Sequence, residues 1–90
     1  MTFEWDPLKA KFNLWKHRVS FEEASTALLD PLSKSDYYPD HSVDERRFIL
    51  FGMSARHRLL VVAYTEDNDL VRLISARLAT RREREIYEDS

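Results

Sequence analysis

The side chains best suited to chemistry in this 90-residue chain are its arginines and its three histidines. Histidine exchanges protons near neutral pH, and arginine binds phosphate oxygens with a planar fork of N–H donors. RNA carries its own nucleophile, the 2′-hydroxyl. A protein that cleaves RNA therefore needs a group that takes this proton, a cation that stabilises the transition state and a group that protonates the leaving oxygen. The residue set suits metal-free cleavage of a phosphodiester.

Other kinds of site are excluded by residues that the chain lacks. Its single glycine, Gly52, rules out a P-loop and a dinucleotide-binding fingerprint. The absence of cysteine rules out a disulfide scaffold, a thiol nucleophile and a thiolate metal site. His17, His41 and His57 lie far apart, with no HExxH motif, and no GxSxG motif is present. We therefore expect neither a cofactor nor a metal ion.

Arg77 is the first candidate for a catalytic role. If the run "VRLISAR" alternates as a strand, Val71, Leu73, Ser75 and Arg77 share one face. Arg77 then lies at the end of a strand, where a rigid support holds its side chain. The alternative is an arginine that pairs with an acid such as Glu83 on the next helix, since ion pairs perturb charges as active sites do.

Three further residues are candidates for the same site. His41 lies in the polar loop "PDHSVDERR" and is the candidate for proton transfer. Arg47 alternates with Ile49 and Phe51 and so begins a core-facing stripe, and Arg58 begins the next strand. We predict that Arg47 and Arg58 join Arg77 in holding phosphate, although each could instead pair with an acid.

Three arginines follow in the first turn of the predicted last helix. Positive charge there opposes the helix dipole, at a cost of ~0.3–1 kcal/mol for each exposed residue. Arg81–Glu85 and Arg84–Glu88 have i,i+4 spacing and could form surface ion pairs. We interpret Arg82 and Arg84 as surface residues and Arg81 as bordering the site.

Helices and strands that could position these residues follow from local signals. "TFEW" predicts a short strand, and Asp6–Pro7 begins a helix that directs Leu8, Phe12 and Trp15 towards the core. Capping boxes at Ser20–Glu23 and Thr80–Glu83 predict a second helix over about 21–29 and a last helix over about 81–89.

The remaining pattern predicts strands. "RRFILFGM", "RLLVVAY" and "LVRLISAR" are apolar runs separated by the turn-like segments "SARH" and "TEDND", and an edge strand near Tyr37 is possible. Short connections favour antiparallel pairing. The prediction is one α+β domain over residues 1–90, with an antiparallel sheet of three or four strands, two N-terminal helices after a short strand, and one C-terminal helix.

The charge is unevenly distributed along the chain. Residues 1–45 carry five Lys/Arg and nine Asp/Glu (5 − 9 = −4), and residues 46–90 carry nine and seven (9 − 7 = +2), which gives the net −2. A local positive face is therefore possible on an acidic protein. The N-terminus does not have the pattern of a secretory signal, and no run approaches the ~18 apolar residues of a membrane span. We expect a cytoplasmic protein without membrane contact.

Four segments together carry a family resemblance: "FEWDPLKAKFNLWKHRVSFEEA", "DHSVDERRFILFG", "RLLVVAYTE" and "VRLISARLATRREREIYE". They resemble the BrnT toxins, which are small ribonucleases of type II toxin–antitoxin modules. The resemblance implies a RelE-like fold and metal-independent RNA cleavage that arrests growth. It also implies a BrnA-type ribbon-helix-helix antitoxin, bound as a heterotetramer on an antitoxin dimer, and repression of the operon through operator DNA that the antitoxin binds.

The resemblance can be carried over to individual positions. It adds Arg72 and Lys16 to Arg81 as candidate RNA-binding residues. The other matching positions are His17, Ser20, Phe21, Glu22, His41, Ser42, Glu45, Arg47, Arg58, Ser75, Arg77, Thr80, Glu83 and Tyr87. One position departs from the family: Arg18 stands where glycine is usual, and a left-handed cap there would cost arginine ~1 kcal/mol.

A different reading of the same arginines remains open. The acidic total charge and the lack of a histidine pair are also compatible with a non-catalytic module. Such a module would use its arginine-rich face to bind an acidic protein or a nucleic acid.

Overall fold

A five-stranded mixed sheet forms the centre of the structure, a computed structural model that describes residues 1–37 and 47–89. The strand order is β1-β5-β4-β3-β2, with β1 parallel to β5 and all other neighbours antiparallel. In chain order the elements are β1 (Thr2–Glu4), α1 (Pro7–His17), α2 (Phe21–Ala27), β2 (Lys34–Tyr37), β3 (Arg47–Met53), β4 (Leu59–Asp67), β5 (Leu70–Leu78) and α3 (Arg81–Glu88). The predicted α+β class is confirmed. The sheet is larger than predicted because both short strands join it.

The main core lies between one face of this sheet and the helices α1 and α2. Phe21, at the start of α2, is 1% exposed and meets the ring of Trp5 edge to face, with 6.0 Å between centroids. Gly52 on β3 allows α2 to approach, since a Cβ at this position would lie 2.5 Å from the carbonyl oxygen of Ala27. The buried cluster comprises Val19, Phe21, Ala24, Ala27, Leu50, Leu60, Val62, Tyr64, Val71, Leu73 and Ala76.

The prediction for the inward face of α1 was wrong. Leu8, Phe12 and Trp15 are 77%, 57% and 69% exposed, whereas Asn13 is buried. Helical spacing identifies an apolar stripe, but it does not say whether the stripe meets the protein's own core. In this chain the stripe points to solvent.

The predicted alternation along β5 was also wrong at its centre. Ala63 pairs with Ser75 and Tyr64 with Leu73, so Ile74 is an extra residue, a β-bulge. Val71 and Leu73 therefore face the core together with Ala76, which is completely buried. Ser75 and Arg77 lie on the opposite face, because one inserted residue reverses the side of every residue that follows.

Turns and caps show which local signals were accurate. The segment "TEDND" is mostly strand, and only Asn68 and Asp69 form the turn, both with positive φ as in a type I′ hairpin. The capping box of Thr80 and Glu83 is complete. At the start of α2, the hydroxyl of Ser20 accepts from the N–H of Glu23, but the carboxylate of Glu23 binds elsewhere.

Arg18 adopts the left-handed conformation that glycine would normally supply. Its φ is 59° and its ψ is 31°, and its N–H donates to the carbonyl of Leu14 at 3.0 Å, which ends α1. The α1–α2 turn therefore has the conformation expected for glycine at this position, and the backbone of Arg18 is strained. Within the described residues, the helices are too short and too polar to cross a membrane.

Candidate functional site

A groove of about 430 Å³ lies on the sheet face opposite α1 and α2. We call it the β3–β5 groove, because these strands form its floor and α3 closes one end. Its lining residues are Ile49, Phe51, Val61, Ala63, Ser75, Arg77 and Glu83. Ile49 and Phe51 were predicted to face the core, which was wrong. They form the apolar floor of the groove, beside the charged side chains of Arg77 and Glu83.

Arg77 and Glu83 form the polar wall of this groove. Arg77 Nη1 donates to Glu83 Oε1 and Nη2 donates to Glu83 Oε2, both at 2.8 Å, in a bidentate ion pair. Nη1 also donates to the carbonyl of Leu78 at 3.3 Å. These contacts fix the plane of the guanidinium group. The pairing that the sequence left open for Arg77 is therefore present, and it lies within the candidate site.

Electrostatics keep both members of the pair charged. The hydrogen bonds from Arg77 lower the pKa of Glu83 to about 2 against the opposing effect of burial, and the N–H of Thr80 contributes to the lowering. The hydrogen bonds to Glu83 raise the pKa of Arg77. A guanidinium group has five N–H donors. Within residues 1–37 and 47–89 three are engaged, and Nε–H and one Nη2–H have no partner there and can meet an incoming phosphate oxygen.

Ser75 connects the groove to a second, smaller pocket beside α1. This α1 pocket has a volume of about 230 Å³ and is lined by Lys9, Phe12, Asn13, Lys16, His17, Ile74 and Ser75. The structure thus brings Lys16 next to the β5 edge that also carries Arg77. It brings His17 there as well, although its position in the last turn of α1 favoured a role in ending the helix rather than in the site.

Asn13 positions this edge, a role that was not predicted from the sequence. Its Nδ2 donates to the carbonyls of Ala76 at 2.8 Å and Val19 at 2.9 Å, and its Oδ1 accepts from the N–H of Ala76 at 3.0 Å. The side-chain amide thus replaces a neighbouring strand where β1 no longer covers β5. A polar residue opposite the apolar stripe of α1 was the available signal, but it was hidden because that side was expected to face solvent.

Arg47 lies on the groove face but at its other end. Arg47 pairs with Thr65 of β4, whereas Arg77 pairs with Val61 of the same strand. These two partners are four residues apart, so Arg47 and Arg77 are separated by roughly 13 Å along the strand direction. Its Nε is buried and has no hydrogen-bond partner among residues 1–37 and 47–89. The structure therefore places Arg47 on the same surface as Arg77 without direct contact.

Arg58 does not lie in the groove. Its side chain binds the carboxylate of Glu23 through Nε, at 2.9 Å, and through Nη2, and it donates to the carbonyl of Arg18 at 2.9 Å. These hydrogen bonds lower the pKa of Glu23 and raise that of Arg58. Arg58 therefore pairs with an acid, which was the alternative considered from the sequence. Through these contacts it links the start of β4 to α2 and to the α1–α2 turn.

None of the other predicted residues is among the described residues that line the groove. Arg72 pairs with Glu4 at 2.8 Å on the surface, and Arg81 is the exposed first residue of α3. His41 lies outside the described residues, as do Ser42 and Glu45. Within the described part of the chain, no group of three or more acidic or histidine side chains is arranged to hold a metal ion.

Comparison with known proteins places this geometry in a family. A crystal structure of the Brucella abortus ribonuclease toxin BrnT superposes with a TM-score of 0.65 at 21% identity, covering 90% of this chain and 99% of that one. A search of curated proteins found no match. The family model described as ribonuclease toxin, BrnT, of type II toxin–antitoxin system matches residues 5–83. This chain therefore belongs to the BrnT family of ribonuclease toxins, which act in type II toxin–antitoxin systems.

Proposed function

We propose that this protein is a metal-independent endoribonuclease that cleaves RNA in the β3–β5 groove. The observation that carries the proposal is the Arg77–Glu83 pair, which presents a fixed guanidinium group at the wall of an apolar-floored groove. The N–H donors of Arg77 that no described residue engages suit phosphate oxygens. The apolar floor suits the faces of bases, which bind by stacking and by apolar contact.

The chemistry requires few protein groups. The RNA 2′-oxygen loses its proton, attacks the adjacent phosphorus and displaces the 5′-oxygen, which takes up a proton. Arg77 stabilises the charge that develops on the phosphate oxygens, since it is held in place before the substrate arrives. Glu83 remains ionised and orients Arg77 rather than taking the proton, because its low pKa makes it a weak base.

The proton-transfer role stays with His41, and His17 becomes a second candidate. His17 lines the α1 pocket on the far side of Ser75, so a nucleotide bound across Ser75 would reach both His17 and Arg77. Bell-shaped dependence of the cleavage rate on pH is expected if one histidine gives a proton and another takes one.

The RNA path is proposed to follow the basic residues on either side of the groove. Lys16 lies in the α1 pocket, and Arg81 stands at the exposed start of α3. Arg72 and Arg47 lie further along the groove face of the sheet. Contacts of this kind position the backbone without reading sequence.

The cellular role proposed for the chain follows its family. Cleavage of RNA in the cytoplasm arrests growth, and a BrnA-type ribbon-helix-helix antitoxin neutralises the toxin. The complex, a heterotetramer on an antitoxin dimer, represses its own operon by binding operator DNA through the antitoxin. The RelE-like assignment of the fold belongs to the same proposal.

The central experiment compares Arg77→Ala with wild type in cleavage of a defined RNA in the presence of EDTA. We expect the cleavage rate to fall at least about 100-fold, the usual effect of removing one donor to a developing oxyanion. Arg84→Ala is the matched control, since Arg84 lies on the same helix as Glu83 in a surface pair with Glu88 at 3.7 Å. Circular dichroism establishes that each variant is folded.

Two outcomes would contradict the proposal. Folded Arg77→Ala that cleaves as fast as wild type removes Arg77 from the mechanism. Loss of wild-type activity in EDTA, with recovery on adding a divalent cation, removes the metal-independent chemistry. His41→Ala and His17→Gln, each measured from pH 5 to 9, show which histidine shapes the pH profile.

A further inference from the structure

The outward face of α1 carries an apolar stripe that no part of the described chain covers. It consists of Leu8, Phe12 and Trp15, which are 77%, 57% and 69% exposed and follow i, i+4, i+7 spacing. The rings of Phe12 and Trp15 contact each other, with 5.8 Å between centroids. Large side chains grouped in this way on a surface mark an interaction site, unlike single exposed apolar residues.

The stripe is not a by-product of packing α1 on the sheet. The inward side of α1 is formed by Ala10, Asn13 and His17, of which only Asn13 is fully buried. Most amphipathic helices of globular proteins direct their largest apolar residues to the core. Here the amphipathicity is reversed: the small and polar residues face the sheet, and the large apolar side chains, including both aromatic rings, face solvent.

All charged side chains within α1 itself are basic. α1 contains Lys9, Lys11 and Lys16 and no acidic residue, although the whole chain has a net charge of −2. At about 100° per residue, Lys9 and Lys16 fall on one side of the stripe and Lys11 on the other. The surface is thus an apolar strip bordered by ammonium groups on both sides.

We propose that this stripe is the docking surface for the antitoxin partner that membership of a type II toxin–antitoxin family implies. The surface fits an amphipathic segment whose apolar side chains cover Leu8, Phe12 and Trp15 and whose flanking acids meet the lysines. Exposed tryptophan and other large side chains grouped at the centre of a surface commonly dominate binding energy. This inference rests on the proposed function in one respect only: it requires that an antitoxin exists, and it does not require that the protein cleaves RNA.

Two other occupants fit less well. Face-to-face contact with a second copy would bring the lysines of both copies together, and juxtaposed like charges disfavour an interface. RNA would use the lysines and the two rings, but it gains little from Leu8, which has no aromatic face and is the most exposed member. An acidic protein segment uses all of the features.

The experiment measures binding of the purified antitoxin from the chain's own module to wild type and to the double variant Leu8→Ser/Trp15→Ser. We expect Kd to rise at least 100-fold by titration calorimetry, with RNA cleavage by the free toxin unchanged. Leu32→Ser is the matched control, because Leu32 is 72% exposed and lies outside α1. Its Kd should stay within threefold of wild type.

A charge reversal tests the flanking lysines separately. Lys11→Glu should weaken binding about tenfold at low salt, mainly through a slower association rate, and the difference should shrink as salt is added. An unchanged association rate would contradict the acidic character of the partner segment.

The remaining outcomes are also decisive. Antitoxin binding by Leu8→Ser/Trp15→Ser within threefold of wild type overturns the proposal. If the double variant loses RNA cleavage but still binds the antitoxin, the stripe is an RNA-binding surface and the proposal is overturned. If wild type sediments as a dimer and the double variant does not, the stripe is a self-association surface, and the proposal is again overturned. Wild type that binds its antitoxin but does not cleave RNA refutes the nuclease part of the proposed function alone.

Discussion

Replacement of Glu83 by glutamine removes one charge from the wall of the groove and little else. Glutamine at the third position of a helix can still complete a capping box with Thr80. It can also accept one hydrogen bond from Arg77, so the shape of the site is kept. The change therefore isolates the contribution of the carboxylate charge to stability and to the orientation of Arg77.

The size of this contribution follows from the pKa of Glu83, which is lowered from 4.5 to about 2. One pKa unit corresponds to about 1.4 kcal/mol, which gives an upper limit of about 3 kcal/mol. The side chain of Arg77 is 42% exposed, so solvent screening reduces the expected value to about 1–2 kcal/mol. Because the folded pKa is the lower one, this stability is present above pH 4.5 and is lost as the pH falls towards 2.

Urea denaturation of wild type and Glu83→Gln between pH 7 and pH 3 measures this directly. The difference in unfolding free energy should be about 1–2 kcal/mol at pH 6, and most of it should be gone by pH 3. Other acids with lowered pKa values, Glu23 and Asp30, titrate in both proteins and cancel in the difference. A difference that stays constant over this range would refute the reasoning, since the carboxylate would then make no net contribution.

Three further substitutions test the scaffold, each by its unfolding free energy in urea at pH 7. Asn13→Ala should lose about 2–4 kcal/mol, because it leaves the buried N–H and carbonyl of Ala76 without their partner; a loss under 1 kcal/mol would contradict this role. Gly52→Ala should lose about 2–3 kcal/mol, since the new Cβ would lie 2.5 Å from a backbone oxygen, and an unchanged stability would show that α2 shifts freely. Arg18→Gly should gain about 1 kcal/mol by relieving the left-handed backbone, and any loss would show that the arginine side chain compensates for its strain.

Local signals in the sequence predicted the elements well. The box of Thr80 and Glu83 fixed the start of α3, and Asp6 with Pro7 fixed the start of α1, because caps depend on residues adjacent in the chain. The pairing of Arg77 with Glu83 could be named as an alternative for the same reason, since only six positions separate the two residues.

What the sequence did not predict depends on distant neighbours. The periodicity of Leu8, Phe12 and Trp15 indicated one face of a helix but not what covers that face. The pairing of Arg58 with Glu23 joins residues 35 positions apart, and no local pattern reports it. β1 was predicted as a strand, yet its parallel position beside β5 could not be deduced from the short turns that fixed the other strands.

The bulge at Ile74 links the stability of the fold to the candidate site. Without it, Arg77 would share a face with Val71 and Leu73 and would enter the apolar core, where an arginine without a partner is costly. Asn13 holds Ala76, which lies between the bulge and Arg77, by one donated and one accepted hydrogen bond. α1 therefore determines which way Arg77 points, although it packs on the other face of the sheet. It follows that Asn13→Ala should slow RNA cleavage by more than the fraction of unfolded protein accounts for, because Arg77 loses part of its support.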